Sequence, residues 1–123
     1  MVTKFEQLKG LTLTDISSTE EEMVFKIDSE QSYKLYHSQD CCECVTIEDI
    51  CGDLDDLLNE PLTEAEEIIH AQDINPEGVD VPEYQDSFTW TFYKLSTRKG
   101  SVTIRWYGES NGYYSESVDF ARI

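Results

Sequence analysis

Residues 87–108 read SFTWTFYKLSTRKGSVTIRWYG. In the first half, Phe88, Trp90 and Phe92 fall on one side of an extended chain and Thr89, Thr91 and Tyr93 on the other. In the second half, Val102, Ile104 and Trp106 oppose Thr103, Arg105 and Tyr107. Side chains alternate between the two faces of a strand, so a period of two held across both segments predicts two β-strands. STRKG (96–100) joins them as a hairpin. Phe88, Trp90, Phe92 and Trp106 make an aromatic stripe expected to serve as core, with a stacking platform for a ring ligand as the alternative.

The alternation continues outward. LTLTDIS (11–17), EMVFKID (22–28) and SYKLYH (32–37) predict three successive antiparallel strands, and VTIEDI (45–50) predicts a fourth, ended by Gly52. Downstream, Ser110-Asn111-Gly112 supplies the positive φ angles of a tight turn, so YYSESVDF (113–120) is expected to return as the last strand. Tyr107, Tyr113 and Tyr114 near that turn are candidate contact residues. Helical signals are short. VTKFEQLK (2–9), with Phe5 and Leu8 three apart, suits one short amphipathic helix before Gly10, and DLDDLLNE (53–60), with Leu54, Leu57 and Leu58 behind a capping Asp53, predicts a short helix stopped by Pro61. LTEAEEIIHA (62–71) fits either a helix, through a Thr63/Glu66 capping box, or a strand. DINPEGVDVPEYQD (73–86), with two prolines, is expected to be an exposed, mobile loop. The reading is an α+β fold, mainly antiparallel β-sheet with one or two short helices, in a single domain over residues 1–123.

Charge bounds the function. The 123 residues hold 9 Lys and Arg against 26 Asp and Glu, a formal net charge of -17, which excludes a direct nucleic-acid binder. No apolar run is long enough to cross a bilayer and no signal peptide opens the chain, so a cytoplasmic location with reduced cysteines is expected. Residues 35–93 carry 16 acids and no Lys or Arg. Spread over half the surface of a protein this size, that is one charge per roughly 200 Å², about half the density of duplex DNA. Such carboxylates must be solvated, bind a cation or meet a basic partner. The partner-binding candidates are Asp53, Asp55, Asp56, Glu60, Glu64, Glu66 and Glu67, with the 73–86 loop.

His37-Ser-Gln-Asp-Cys41-Cys42-Glu43-Cys44 gathers one imidazole, three thiols and two carboxylates, and Cys51 follows. Zinc prefers thiolate and imidazole, and the Cys41-x-x-Cys44 gap lets two sulfurs reach one tetrahedral centre. His37, Cys41, Cys42 and Cys44 are the candidate metal ligands of a structural site. Neighbours on a strand diverge, so Cys51, Asp40 or Glu43 are alternatives to Cys42. The alternative to metal is a set of reduced cysteines packing as small apolar groups. Deaminase and zincin signatures are missing, and a Cys51–His70 nucleophile pair lacks any surrounding signature.

Five stretches together carry a resemblance: HSQDCCE (37–43), VTIEDICGDLDDLL (45–58), FTWTFYKL (88–95), IRWYG (104–108) and SNGYYSE (110–116). They resemble a family of small acidic proteins encoded by phages and integrated elements of Gram-positive bacteria, and the chain is similar to zinc-containing type II-A anti-CRISPR inhibitors. The family pattern has the adjacent His, Cys, Cys and Glu with a variable residue at position 44, so it implies His37, Cys41 and Cys42 as ligands. The resemblance implies a non-enzymatic inhibitor whose acidic face blocks a basic channel or lobe of a host RNA-guided nuclease. A zinc- or cysteine-dependent phage enzyme and an accessory protein-binding module are the alternatives.

Overall fold

The described residues form eight strands and two single 3-10 turns. They are β1 (Asp15–Ser18), β2 (Glu22–Lys26), β3 (Ser32–Tyr36), β4 (Cys44–Cys51), β5 (Glu64–Ile69), β6 (Ser87–Thr97), β7 (Gly100–Ser110) and β8 (Asp119–Arg122), with the turns at Phe5–Leu8 and Leu54–Leu57. The structure is a computed structural model that describes residues 4–27, 31–39, 43–70, 73–79, 81, 85, 87–111 and 115–123. The strands form two four-stranded antiparallel sheets, ordered β1-β2-β3-β8 and β4-β7-β6-β5. This is an all-β fold, which corrects the α+β expectation.

The reason lies in the two segments expected to be helical. DLDDLLNE makes only one 3-10 turn, in which Asp53 accepts from the Asp55 N–H as a cap. The chain then leaves at Leu58 in an extended conformation, and Asn59 takes a φ of 65°. From there the backbone is captured by the stretch that precedes β1: Leu58 bridges Leu13 and Pro61 bridges Thr12. The 62–71 ambiguity resolves as strand, because Ala65 enters the core opposite Leu95 and Ile68 pairs with Phe92. The short helix expected over residues 2–9 is, among its described residues, the other 3-10 turn, Phe5–Leu8, which buries Phe5 and Leu8.

The β6–β7 hairpin is the longest ladder, eleven residues on each side, running from Ser87↔Ser110 to Thr97↔Gly100 across an Arg98–Lys99 turn. The β1–β2–β3 meander is as expected. The final strand is not a return beside β7, since β8 pairs with β3 in the other sheet. The Gly112–Tyr114 part of the expected second turn lies outside the described residues. One core draws on both sheets: Met23, Phe25, Tyr33 and Leu35 from the first meet Val45, Tyr93, Leu95, Ile104 and Trp106 from the second. Gly52, at φ 116°, ends β4 where a Cβ would stand 2.6 Å from the Ser101 carbonyl oxygen, so only glycine fits there.

Candidate functional site: the second sheet and its rims

The seven candidate acids occupy three settings. Asp53, Asp55, Asp56 and Glu60 surround the 3-10 turn at the Arg98–Lys99 end of the hairpin. There Glu60 takes a 2.7 Å hydrogen bond from Arg98, Lys99 reaches the Asp55 carbonyl at 3.4 Å, and Thr97 donates to the Asp56 carbonyl. The Arg98 hydrogen bond holds the Glu60 carboxyl below its ordinary value. Glu64 and Glu66 project from the outward side of β5, with Glu66 in register opposite Lys94. Glu67 faces the other way: it accepts the Tyr93 hydroxyl at 2.7 Å, and its own N–H is held by Glu6. Burial, and then the Glu67 contact, pushes the Tyr93 hydroxyl far up. The bases missing from residues 35–93 are supplied from beyond residue 93, for Arg105 likewise pairs with Glu48 and Asp49. The acidic block is thus only partly uncompensated.

Both faces of β6 carry large apolar side chains, and the core takes the side expected to be polar, that of Thr91, Tyr93 and Leu95. Tyr93 and Leu95 join Val102, Ile104 and Trp106 in the core. Phe88, Trp90 and Phe92 therefore lie on the outward face with Arg105 and Tyr107, so Trp106 is separated from the stripe it was expected to complete. Trp90 is nonetheless only 1% exposed. Its ring meets Tyr107 at 4.5 Å, and Arg105 sits 5.7 Å over it.

Among the described residues of the 73–86 stretch, Asp73, Asn75 and Gln85 account for the rest, each bonded to the second sheet or to one another. Asp73 exchanges backbone and side-chain bonds with Phe88, Asn75 accepts the Trp90 indole N–H at 2.9 Å, and the Asn75 and Gln85 amides pair reciprocally at 2.9 and 3.1 Å. Gln85 also donates to the Tyr107 hydroxyl, which donates to Glu109. Burial, opposed by the Gln85 bond and aided by Glu109, pushes the Tyr107 hydroxyl up to about 12.

Of the candidate metal ligands, Cys41 and Cys42 lie outside the described residues, as does Asp40. Cys44 is exposed at the start of β4, and Cys51, at its other end, is exposed with its thiol 3.8 Å from Asp49. His37 is engaged at both ring nitrogens: Nδ1 donates to the Ser117 carbonyl at 2.6 Å, and Nε2 meets Glu43 Oε2 at 3.0 Å. The two side chains are 3% and 0% exposed. Gln39 closes the group by donating to the Glu43 backbone and carboxylate, beside a cleft of about 240 Å³ that Glu21, Cys44 and Thr46 also line. In this geometry His37 ties the end of β3 to Glu43 at the approach to β4 and to Ser117 at the approach to β8, and both ring nitrogens already have a partner. Among the described residues no group of three His, Cys, Asp or Glu is placed to hold a metal ion.

Nearby, Glu116 is buried and accepts from Thr89 at 2.8 Å and from Ser110 at 2.5 Å. It passes so close to β7 that a Cβ on Gly108 would lie 2.6 Å from its carbonyl oxygen. Asn75, Gln85, Glu116 and Ser117 had no signal in the sequence, because they bond to partners as far as 15, 22, 27 and 80 residues away. No helix among the described residues is long and apolar enough to cross a membrane.

A family model described as "Domain of unknown function (DUF7448)" matches residues 6–120. No curated protein matches the chain, and no solved structure does.

Proposed function

The chain belongs to the DUF7448 family, and from that premise we propose that it is a non-enzymatic binding module whose carboxylate-rich half receives a basic protein surface. The observation that carries this reading is the imbalance around the second sheet. The described residues between 43 and 111 include 13 acids and 4 bases, and three of those bases, Arg98, Lys99 and Arg105, are already engaged within the molecule. Asp53, Asp55, Glu64 and Glu66 remain exposed. Carboxylates at this density raise the local concentration of a cationic partner and speed its encounter. The specific partner is the one the sequence resemblance implies, a type II-A RNA-guided nuclease in the cytoplasm, whose nucleic-acid channel is positively charged.

The test is guide-directed DNA cleavage by such a nuclease with and without the protein, together with complex formation at about 0.05 and 0.5 M salt. The Debye length at the higher salt is about 4 Å. Inhibition at low salt that fades at high salt supports the proposal. An inhibitor indifferent to salt refutes the electrostatic basis, and uninhibited cleavage refutes the nuclease as partner.

A further inference from the structure

A solvated sheet face ordinarily alternates to polar residues, and the outward face of the second sheet does not. Ile68, His70, Phe92, Arg105 and Tyr107 are half-buried there around the buried Trp90. His70 lies edge-on to Phe92, with ring centroids 6.4 Å apart. Among the described residues, the hydrogen bonds of the 73–85 segment end at Phe88, Trp90 and Tyr107, one step short of the Ile68–Phe92–Arg105 row. Carboxylates border the row on both sides: Glu48 and Asp49 from β4, Glu64 and Glu66 from β5. An apolar, aromatic centre inside a charged rim is the anatomy of a protein interface.

The molecule's own Arg105 indicates what this face accepts. Its guanidinium lies over Trp90 while Nε and Nη2 both reach Glu48 Oε2 at 2.5 Å, and Asp49 stands 3.6 Å off. A flat cation is thus held between a ring and carboxylates. Phe92, with Glu66 diagonal to it across β5, repeats the same ingredients one strand over, with the exposed Lys94 in register opposite Glu66 and Arg105 opposite Phe92 turned toward Glu48.

We infer that the Ile68–Phe92 part of this face is the docking surface for an arginine-bearing basic segment of the partner protein. The inference rests on the basic-partner reading above and gives that partner an address and a side-chain preference. Guanidinium is weakly hydrated and stacks on aromatic rings, whereas the ammonium of lysine is compact and strongly hydrated, so the face discriminates between two cations of equal charge. The hairpin end is a different setting, because there Arg98 already occupies the Glu60 carboxylate and Lys99 reaches the Asp55 backbone carbonyl.

The experiment titrates the protein with decaarginine and with decalysine at about 0.1 M salt, reading Trp fluorescence and heat. Two guanidinium contacts, each contributing about threefold, give decaarginine an advantage of about tenfold over decalysine. Phe92→Thr and Ile68→Thr each keep a strand-favouring residue; they remove most of that advantage and leave decalysine affinity within about twofold. Asp15→Asn, an exposed change in β1 of the other sheet, weakens both peptides alike. Thermal melts verify folding, and should Phe92→Thr unfold, the edge-strand change Ile68→Thr carries the test. Equal binding of the two peptides, or an arginine advantage that survives both substitutions, overturns the inference and leaves the basic-partner reading standing. Binding of neither peptide overturns that reading itself.

Discussion

Replacing Asn75 by alanine removes the acceptor of the Trp90 indole N–H at 2.9 Å and both amide bonds to Gln85. The two amide bonds are solvent-exposed and exchange for water at little cost, so the effect resides in the indole. If the segment stays closed, a buried N–H goes unsatisfied, at about 1–3 kcal/mol. If it opens, water satisfies the N–H but Trp90 loses cover. The smaller of the two costs sets the outcome, so the expected loss is about 1–2 kcal/mol, a fall in Tm of roughly 3–6 °C per kcal/mol at this chain length. Opening also gives a spectroscopic signature. Trp90 alone should shift to the red, since Trp106 is fully buried in the core, and Trp90→Phe should abolish the shift. Gln85→Ala breaks the same clasp, so adding it to Asn75→Ala should cost less than about 0.5 kcal/mol further. Full additivity of the two changes, or an unmoved emission maximum with wild-type stability, would refute the clasp.

Three other perturbations test other parts of the molecule. Glu43→Ala strips the partner from a pair whose side chains are 3% and 0% exposed, and urea melts should show a loss of about 3–5 kcal/mol. Zinc analysis of the same purified proteins bears on His37: as a tie, His37→Gln lowers stability and leaves the metal content at the wild-type level, whereas loss of one zinc per chain would make it a ligand. Gly52→Ala forces a Cβ to 2.6 Å from the Ser101 carbonyl at a φ of 116°, and should destabilise by about 2–4 kcal/mol; a wild-type melt would count against the close approach. For Tyr107, whose hydroxyl is raised to about 12 against an ordinary value of 10, the folded state keeps a proton that the unfolded state releases. Its contribution is whole below pH 10 and is lost as pH rises to about 12, so Tyr107→Phe should flatten the fall in stability over that window, and an unchanged slope would refute the assignment.

The β6–β7 hairpin and the β1–β3 meander were legible because their alternation is local and unbroken. What alternation withholds is which face turns inward. On β6 both faces are apolar, and Tyr93 and Leu95 take the core while Trp90 is buried by a segment from outside the sheet. The 53–60 leucines read as helix because they sit three and four apart, yet the bridges to Thr12 and Leu13 decide the outcome from over forty residues away. Asp53 as a cap was visible, since capping is a local matter. The candidate site divides the same way. Carboxylate density can be counted along a chain, whereas the cations that answer it, Arg98 and Arg105, and the buried pairing of His37 with Ser117, belong to the tertiary arrangement.

The pairing of β8 with β3 also orders events on the ribosome. β1, β2 and β3 emerge early and can zip together at once, but β3 then waits with one edge bare while the whole second sheet is synthesised. Until Asp119–Arg122 arrives, that edge is a template for any passing extended chain. Such distant pairing folds slowly, in milliseconds to seconds. The abundant negative charge then has a second use, keeping nascent copies apart during the interval in which they are most able to join.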